Sequence, residues 1–234
     1  MAKASAAKKR RARPGGRERR RTYHHGNLRE ALLEATLRMI EERGPEGVSV
    51  REVAARAGVS SAAPFRHFAS RTALLTAVAE EAMGRLLAES RRAIEEAPAT
   101  DPLAGFRAIG GAYLSWVFKN PTQFRVIADR SLIDFEGSPS LRRDNDELRA
   151  LMDGLVNEAQ RLGHLRSDDV IHIPIAAKAI SYGLARMYVD GHFVQWNAGD
   201  EAAERTMHAV LDVFTDGLRT DEPAAAAKRR RPRR

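Results

Sequence analysis

The chain has 234 residues, 43% of them hydrophobic and 30% charged, enough for one large or two small domains around a substantial core. It has no cysteine, which excludes disulfides, cysteine catalysis and thiolate metal sites. No apolar run approaches the roughly 18 residues of a membrane span. The first ten residues lack the apolar stretch of an export signal, so a cytoplasmic protein with no membrane partner is expected. The net charge of +8 is concentrated at the ends: ten basic side chains against one acidic lie in residues 1–21, and six basic ones in 228–234. Those sixteen leave the body 23 of the 39 basic residues against 30 of the 31 acidic ones. Like-charge blocks without apolar residues cannot pack, so a disordered basic arm (1–21) and a disordered basic tail (221–234) are predicted, both suited to phosphate attraction.

Ordered structure is expected from Asn27, which is placed to cap a helix carrying Leu28, Leu32, Ala35 and Met39 on one face and ending at Gly44-Pro45. Ser49-Val50-Arg51-Glu52 has the form of a capping box, flanked by Val48 and Val53 as an apolar staple. The helix it opens is short, because Gly58 follows closely. Val59-Ser60 repeats the entry signal, and a third short helix is expected from Ser61 to about His67. Ser70 caps a helix bearing Leu74, Leu75, Val78, Ala82 and Leu86, ended by Pro98; Asp101-Pro102 opens another, with Phe106, Ile109, Tyr113 and Trp116-Val117 inward, as far as Asn120-Pro121. A brief helix over 122–129 follows. Three more are marked by Leu141 to Leu162 (closed by Gly163), by Ile173 to Val189, and by Ala202 to Leu218. No alternating, β-branched stretch signals a strand. An all-α fold of about nine helices is therefore expected.

Two short helices joined by a glycine turn behind a supporting helix are the ingredients of a helix-turn-helix. Small Ala54 lets them cross closely, Gly58 supplies the left-handed turn, Val59 plugs the corner, and Phe68 pins the far end. Ser60, Ser61, Ala62, Ala63, Arg66 and His67 are then left to face a DNA major groove. Residues 22–70 hold six basic and six acidic side chains, a neutral head that the arm 1–21 is expected to assist in attracting DNA.

The stretch VSVREVAARAGVSSAAPFRHFASRTALL (residues 48–75) resembles the N-terminal domain of TetR (AcrR-like) transcriptional regulators, with Arg51, Ala54, Gly58, Val59, Ser60, His67, Phe68 and Leu74 on the family pattern. The resemblance covers residues 24–74. It implies that Ser49 and the amides beside it hold a backbone phosphate, that Arg51, Arg66 and His67 meet phosphate or bases, and that Ser60 to Ala63 lie at the groove floor. Phe65 stands where the family usually has Tyr, without its hydroxyl, and Arg71 stands one place before the usual Lys, whose phosphate contact the resemblance implies for it. The resemblance divides the chain into a DNA-binding domain (22–70) and a ligand-binding and dimerisation domain (71–220). It implies a homodimer on a palindromic double-stranded DNA operator, most simply a repressor that a small effector releases. Tyr182 to Gly191 is also similar to a His-Gly-type C-terminal helix of one subgroup, with Tyr182 in place of the His.

For an effector pocket the aromatic and Met side chains converging from several helices are the candidates: Phe106, Ile109, Tyr113, Trp116, Phe124, Ile127, Met152, Leu155 and Tyr182, suited to a mainly apolar ligand. His164, His172, His192 and His208 show no i, i+4 pairing, so no metal and no cofactor are expected. No catalytic residues are assigned, because no nucleophile–base pair or glycine-rich phosphate loop is legible. The alternative to ligand-controlled repression is a constitutive or architectural DNA binder dominated by its basic tails.

Overall fold

The computed structural model describes residues 28–166 and 170–220; the Asn27 cap, the arm 1–21 and the tail 221–234 lie outside them. Among the described residues the chain forms eight α-helices and no strand: α1 (Leu28–Arg43), α2 (Val50–Arg56), α3 (Arg71–Glu96), α4 (Pro102–Lys119), α5 (Pro121–Ile127), α6 (Pro139–Arg161), α7 (His172–Val189) and α8 (Asp200–Gly217). Single 3₁₀ turns cover Pro45–Gly47, Pro64–Arg66 and His192–Trp196.

Side-chain caps set several of these starts. Ser70 Oγ accepts the Ala73 amide at 3.0 Å, Asp101 Oδ1 accepts those of Leu103 and Ala104 at 3.1 and 3.2 Å, and Ser138 Oγ accepts that of Leu141 at 3.3 Å. Proline occupies the first turn of α4, α5 and α6, where its missing N–H removes no bond.

Two local expectations are corrected. The capping box does not close: Ser49 makes no side-chain cap, and Glu52 reaches Arg43 at 3.5 Å instead. The helix expected from Ser61 to His67 is a turn followed by the 3₁₀ turn Pro64–Arg66. Pro64 has no N–H to bond the Ser60 carbonyl, so that oxygen takes the Ala63 amide at 3.0 Å in a tighter ring.

The first hydrophobic core joins α1, α2 and the start of α3 through Leu32, Met39, Ile40, Val53, Phe68 and Leu74. Val126, Leu132, Ile133 and Leu141 complete it, so the N-terminal head shares its core with the segment after α5. α4 is the central strut of the larger bundle, packed against α3, α6, α7 and α8. Gly110 allows the approach of α8: a Cβ there would stand 2.9 Å from a Leu211 methyl.

Candidate DNA-reading head and effector cavity

The reading head is built by a reversal at Gly58, whose φ of +71° is a conformation that side chains rarely adopt. The Val59 amide closes the turn on the Ala54 carbonyl at 3.0 Å, and Ala54 is fully buried at the crossing. Beyond the turn, Ser60, Ser61, Ala62, Phe65, Arg66 and His67 are exposed and Ala63 is half-buried. Pro64 and Phe68 point inward and anchor the segment, with the His67 and Phe68 amides both on the Pro64 carbonyl at 2.8 Å. Phe65 is 50% exposed, an apolar ring among polar neighbours on this surface.

Charge is sorted across the head. Arg29, Arg38, Arg43 and Arg56 are each in an ion pair with a glutamate: Glu81, Glu34, Glu52 and Glu42 respectively. The Arg56 hydrogen bond holds the Glu42 carboxyl below the usual carboxylate range. Arg51 and Arg66 are exposed and in no ion pair among the described residues. Those are two of the three arginines expected at the DNA surface, Arg71 being the third. Ser49, at the start of α2, is half-buried, its hydroxyl making no cap bond. Arg71 departs from expectation: it turns inward to donate to the Pro45 carbonyl at 2.7 Å, and its Nε is buried without a partner. It ties the start of α3 to the turn between α1 and α2.

At the other end, α4, α6, α7 and α8 enclose a cavity of about 520 Å³. Phe106, Ile109, Tyr113, Met152 and Tyr182 line it as predicted. Trp116, Phe124, Ile127 and Leu155 do not. Trp116 and Phe124 lie further along the bundle, packed with Ala82 and Leu86 of α3, and Ile127 packs against the same cluster. Leu155 is occupied against Gly105. Phe124 acts from behind: its ring stands 6.4 Å from that of Tyr113 and 6.0 Å from that of Tyr182. Burial pushes the Tyr113 hydroxyl well above its usual range, so it stays protonated as a hydrogen-bond donor.

The polar part of the lining was not anticipated. Asn145, Arg149, Asp153 and Asn157 recur every four residues along α6, and Lys178 and Ser181 come from α7. The four-residue spacing is visible in the sequence as a polar stripe beside Leu148 and Met152; by itself it reads as a solvated helix face.

The fold also unites residues that the sequence keeps apart. Ser115 on α4 lies 3.0 Å from Glu204 Oε1 and 2.9 Å from His208 Nε2, both on α8. A serine and a histidine do therefore meet, contrary to expectation. The carboxylate contacts the serine, however, and not the imidazole, so it does not orient the base as acyl-transfer triads require.

Against this geometry, the chain matches the family described as bacterial regulatory proteins, tetR family, over residues 32–78, and the Tetracyclin repressor-like C-terminal domain over 106–214. The chain belongs to the TetR family. A solved structure of a Rhodococcus sp. RHA1 protein of unknown function is 32% identical, with a TM-score of 0.70 over 86% of this chain and 100% of that one. Among curated relatives, the nucleoid occlusion factor SlmA of Idiomarina loihiensis is 28% identical over 57% of this chain and 63% of its own length. The HTH-type transcriptional repressor Rv3405c of Mycobacterium tuberculosis is 36% identical over 38% of this chain and 42% of its own. The match thus spans less than two thirds of either curated relative.

Proposed function

We propose that this TetR-family chain is a homodimeric transcriptional repressor, released from a palindromic operator when a small effector enters the cavity between α4, α6, α7 and α8. The observation that carries operator binding is the sorting of charge: among the described residues of the head four arginines are neutralised in place, and only Arg51 and Arg66 are exposed and uncommitted, Arg66 within the exposed segment Ser60 to His67. Ser60 to Ala63 meet base edges, and Ser49, Arg51, Arg66 and His67 hold phosphate or bases. Dimerisation uses α7 and α8, where Ile175, Val210 and Val213 are exposed, Val213 by 76%. Two heads then reach half-sites about 34–36 Å apart. Such a protein acts in the cytoplasm, on the nucleoid.

A route for the signal follows from hydrogen bonds. Tyr182 of the cavity donates to the Ala128 carbonyl at 3.3 Å. Residues beyond Ala128 are pinned to α3: the Asp134 amide donates to Thr76 Oγ1 at 2.9 Å, and Ser138 and Ser140 donate to Glu80 at 2.7 and 2.9 Å. α3 in turn carries Arg71, tied to the head. An effector that displaces Tyr182 shifts this segment and, with it, the pitch of α3.

Selection of bound sequences from random DNA by the full-length protein tests the reading. A recovered palindrome with half-sites one helical turn apart, lost in Arg51→Ala/Arg66→Ala, supports it. Equal affinity for random and selected DNA overturns it in favour of an architectural binder, the reading that the basic tails alone favour.

A further inference from the structure

The cavity lining is divided by chemistry. Its walls are apolar, from Phe106, Ile109, Met152 and Pro174. Two hydroxyls lie on the buried part: Ser181 is 6% exposed, and Tyr113 is largely covered. Neither is hydrogen-bonded to another described residue. Both oxygens keep access to the cavity, since neither is among the sealed, unpartnered polar atoms of the described residues, so each is available to hydrogen-bond an occupant. Two cations lie on the exposed part, Arg149 on α6 and Lys178 on α7. Neither is in an ion pair among the described residues, although most arginines of this bundle are, including Arg91, Arg107, Arg143, Arg161 and Arg186. Asp153, one turn after Arg149, offsets one of the two charges and leaves the lining net positive.

We infer that the effector is an amphipathic acid: an apolar body filling the cavity, a carboxylate at the exposed end met by Arg149 and Lys178, and a hydroxyl or carbonyl oxygen at the buried end met by Ser181 and Tyr113. The inference rests on reading the cavity as the effector site. A cavity of about 520 Å³ is within the usual range of 300–1,000 Å³ for small-molecule sites. Arginine and lysine together give a carboxylate charge-assisted hydrogen bonds, stronger than those a neutral head group would make. The two inner hydroxyls discriminate in a second way, because a ligand lacking the inner oxygen displaces water from them without replacing its hydrogen bonds.

Calorimetric titration of the full-length protein with four probes of one chain length, each below its micellar concentration, separates these terms. The probes are ω-hydroxydodecanoate, dodecanoate, dodecanol and dodecyltrimethylammonium. Dodecanoate is expected to bind about tenfold more tightly than dodecanol, and ω-hydroxydodecanoate several-fold more tightly again. Arg149→Gln/Lys178→Gln should abolish the preference of acid over alcohol, and Ser181→Ala/Tyr113→Phe the preference for the ω-hydroxyl. Met152→Trp, which fills the cavity, should block every probe, with circular dichroism confirming that each variant is folded. Probes that bind, are blocked by Met152→Trp and show no preference for the acid overturn this inference while leaving the cavity as the effector site. Tightest binding of the trimethylammonium probe does the same and transfers recognition to Asp153. No binding of any probe, or binding that survives Met152→Trp, removes the cavity from both readings.

Discussion

Gly58 stands at φ +71° with nothing within 4 Å of where a Cβ would be. The space is open and only the backbone conformation is demanding, so the effect of substitution is conformational and not steric. Gly58→Ala should lose about 1 kcal/mol of stability in urea unfolding, and Gly58→Asn clearly less, because asparagine tolerates the left-handed region. Equal losses for the two would show that something other than φ fixes this turn. Gly58, Ala54 and Phe68 were legible in the sequence because each has a single physical reason to be there: a turn, a crossing, an anchor. Arg71 was not. Its inward turn to the Pro45 carbonyl depends on where the loop after α1 comes to rest, a tertiary fact that no local pattern carries.

Among the elements, the start of α4 joins two ends of the larger bundle, because Asp101 both caps that helix and accepts from Arg219, beyond α8, at 2.8 Å. Desolvation pushes the Asp101 carboxyl up, but the Arg219 hydrogen bond and the Ala104 and Leu103 amides outweigh it and hold it below its usual value. A depressed carboxylate stabilises the fold above its unfolded pKa of about 4, and that contribution disappears as pH falls through the lower folded value. Asp101→Asn keeps a capping oxygen and loses the charge pair; Asp101→Ala loses both, with the cap alone worth about 1 kcal/mol. At pH 7 the order of stability should be Asp, then Asn, then Ala. The gap between Asp and Asn should begin to narrow as pH falls below about 4 and close once pH has passed below the lowered folded value. A gap that persisted in acid would mean that the Arg219 pair contributes nothing. The caps at Ser70, Asp101 and Ser138 show why helix starts were readable: one side chain satisfies orphan amides within three residues. The recognition segment was misread for the complementary reason. Pro64 removes the one N–H that would close an α-turn on Ser60, so the helix expected from Ser61 to His67 does not form. The cavity was half legible. Its aromatic walls are apolar at helical spacing, but Arg149, Asp153 and Lys178 become a lining only when α6 and α7 meet across α4.

On the scale of the whole molecule, two couplings are open to measurement. Tyr182→Phe removes the donor to Ala128 without emptying the cavity wall. The amides of residues 128–134, the Asp134 amide on Thr76 among them, should then exchange faster with solvent, while operator affinity without effector changes less than about twofold. Unchanged exchange would break the proposed route between cavity and head. The second coupling concerns charge. Residues 28–220 contain the neutral reading head and an acidic bundle, and α3, 26 residues and about 39 Å long, keeps that bundle beside the DNA that the head would contact. Two uncommitted arginines per head are a weak attraction against such a background. The ten basic side chains of residues 1–21, which precede α1 in the sequence and lie outside the described residues, would supply what is missing. Each phosphate neutralised adds about 0.9 to the slope of log affinity against log salt. Deleting residues 1–21 should therefore flatten the slope by several units and weaken operator and random DNA alike, since the arm contributes charge and the head contributes discrimination. A truncated protein with the full slope would place the phosphate contacts in the head after all, on Ser49, Arg51, Arg66 and His67 alone.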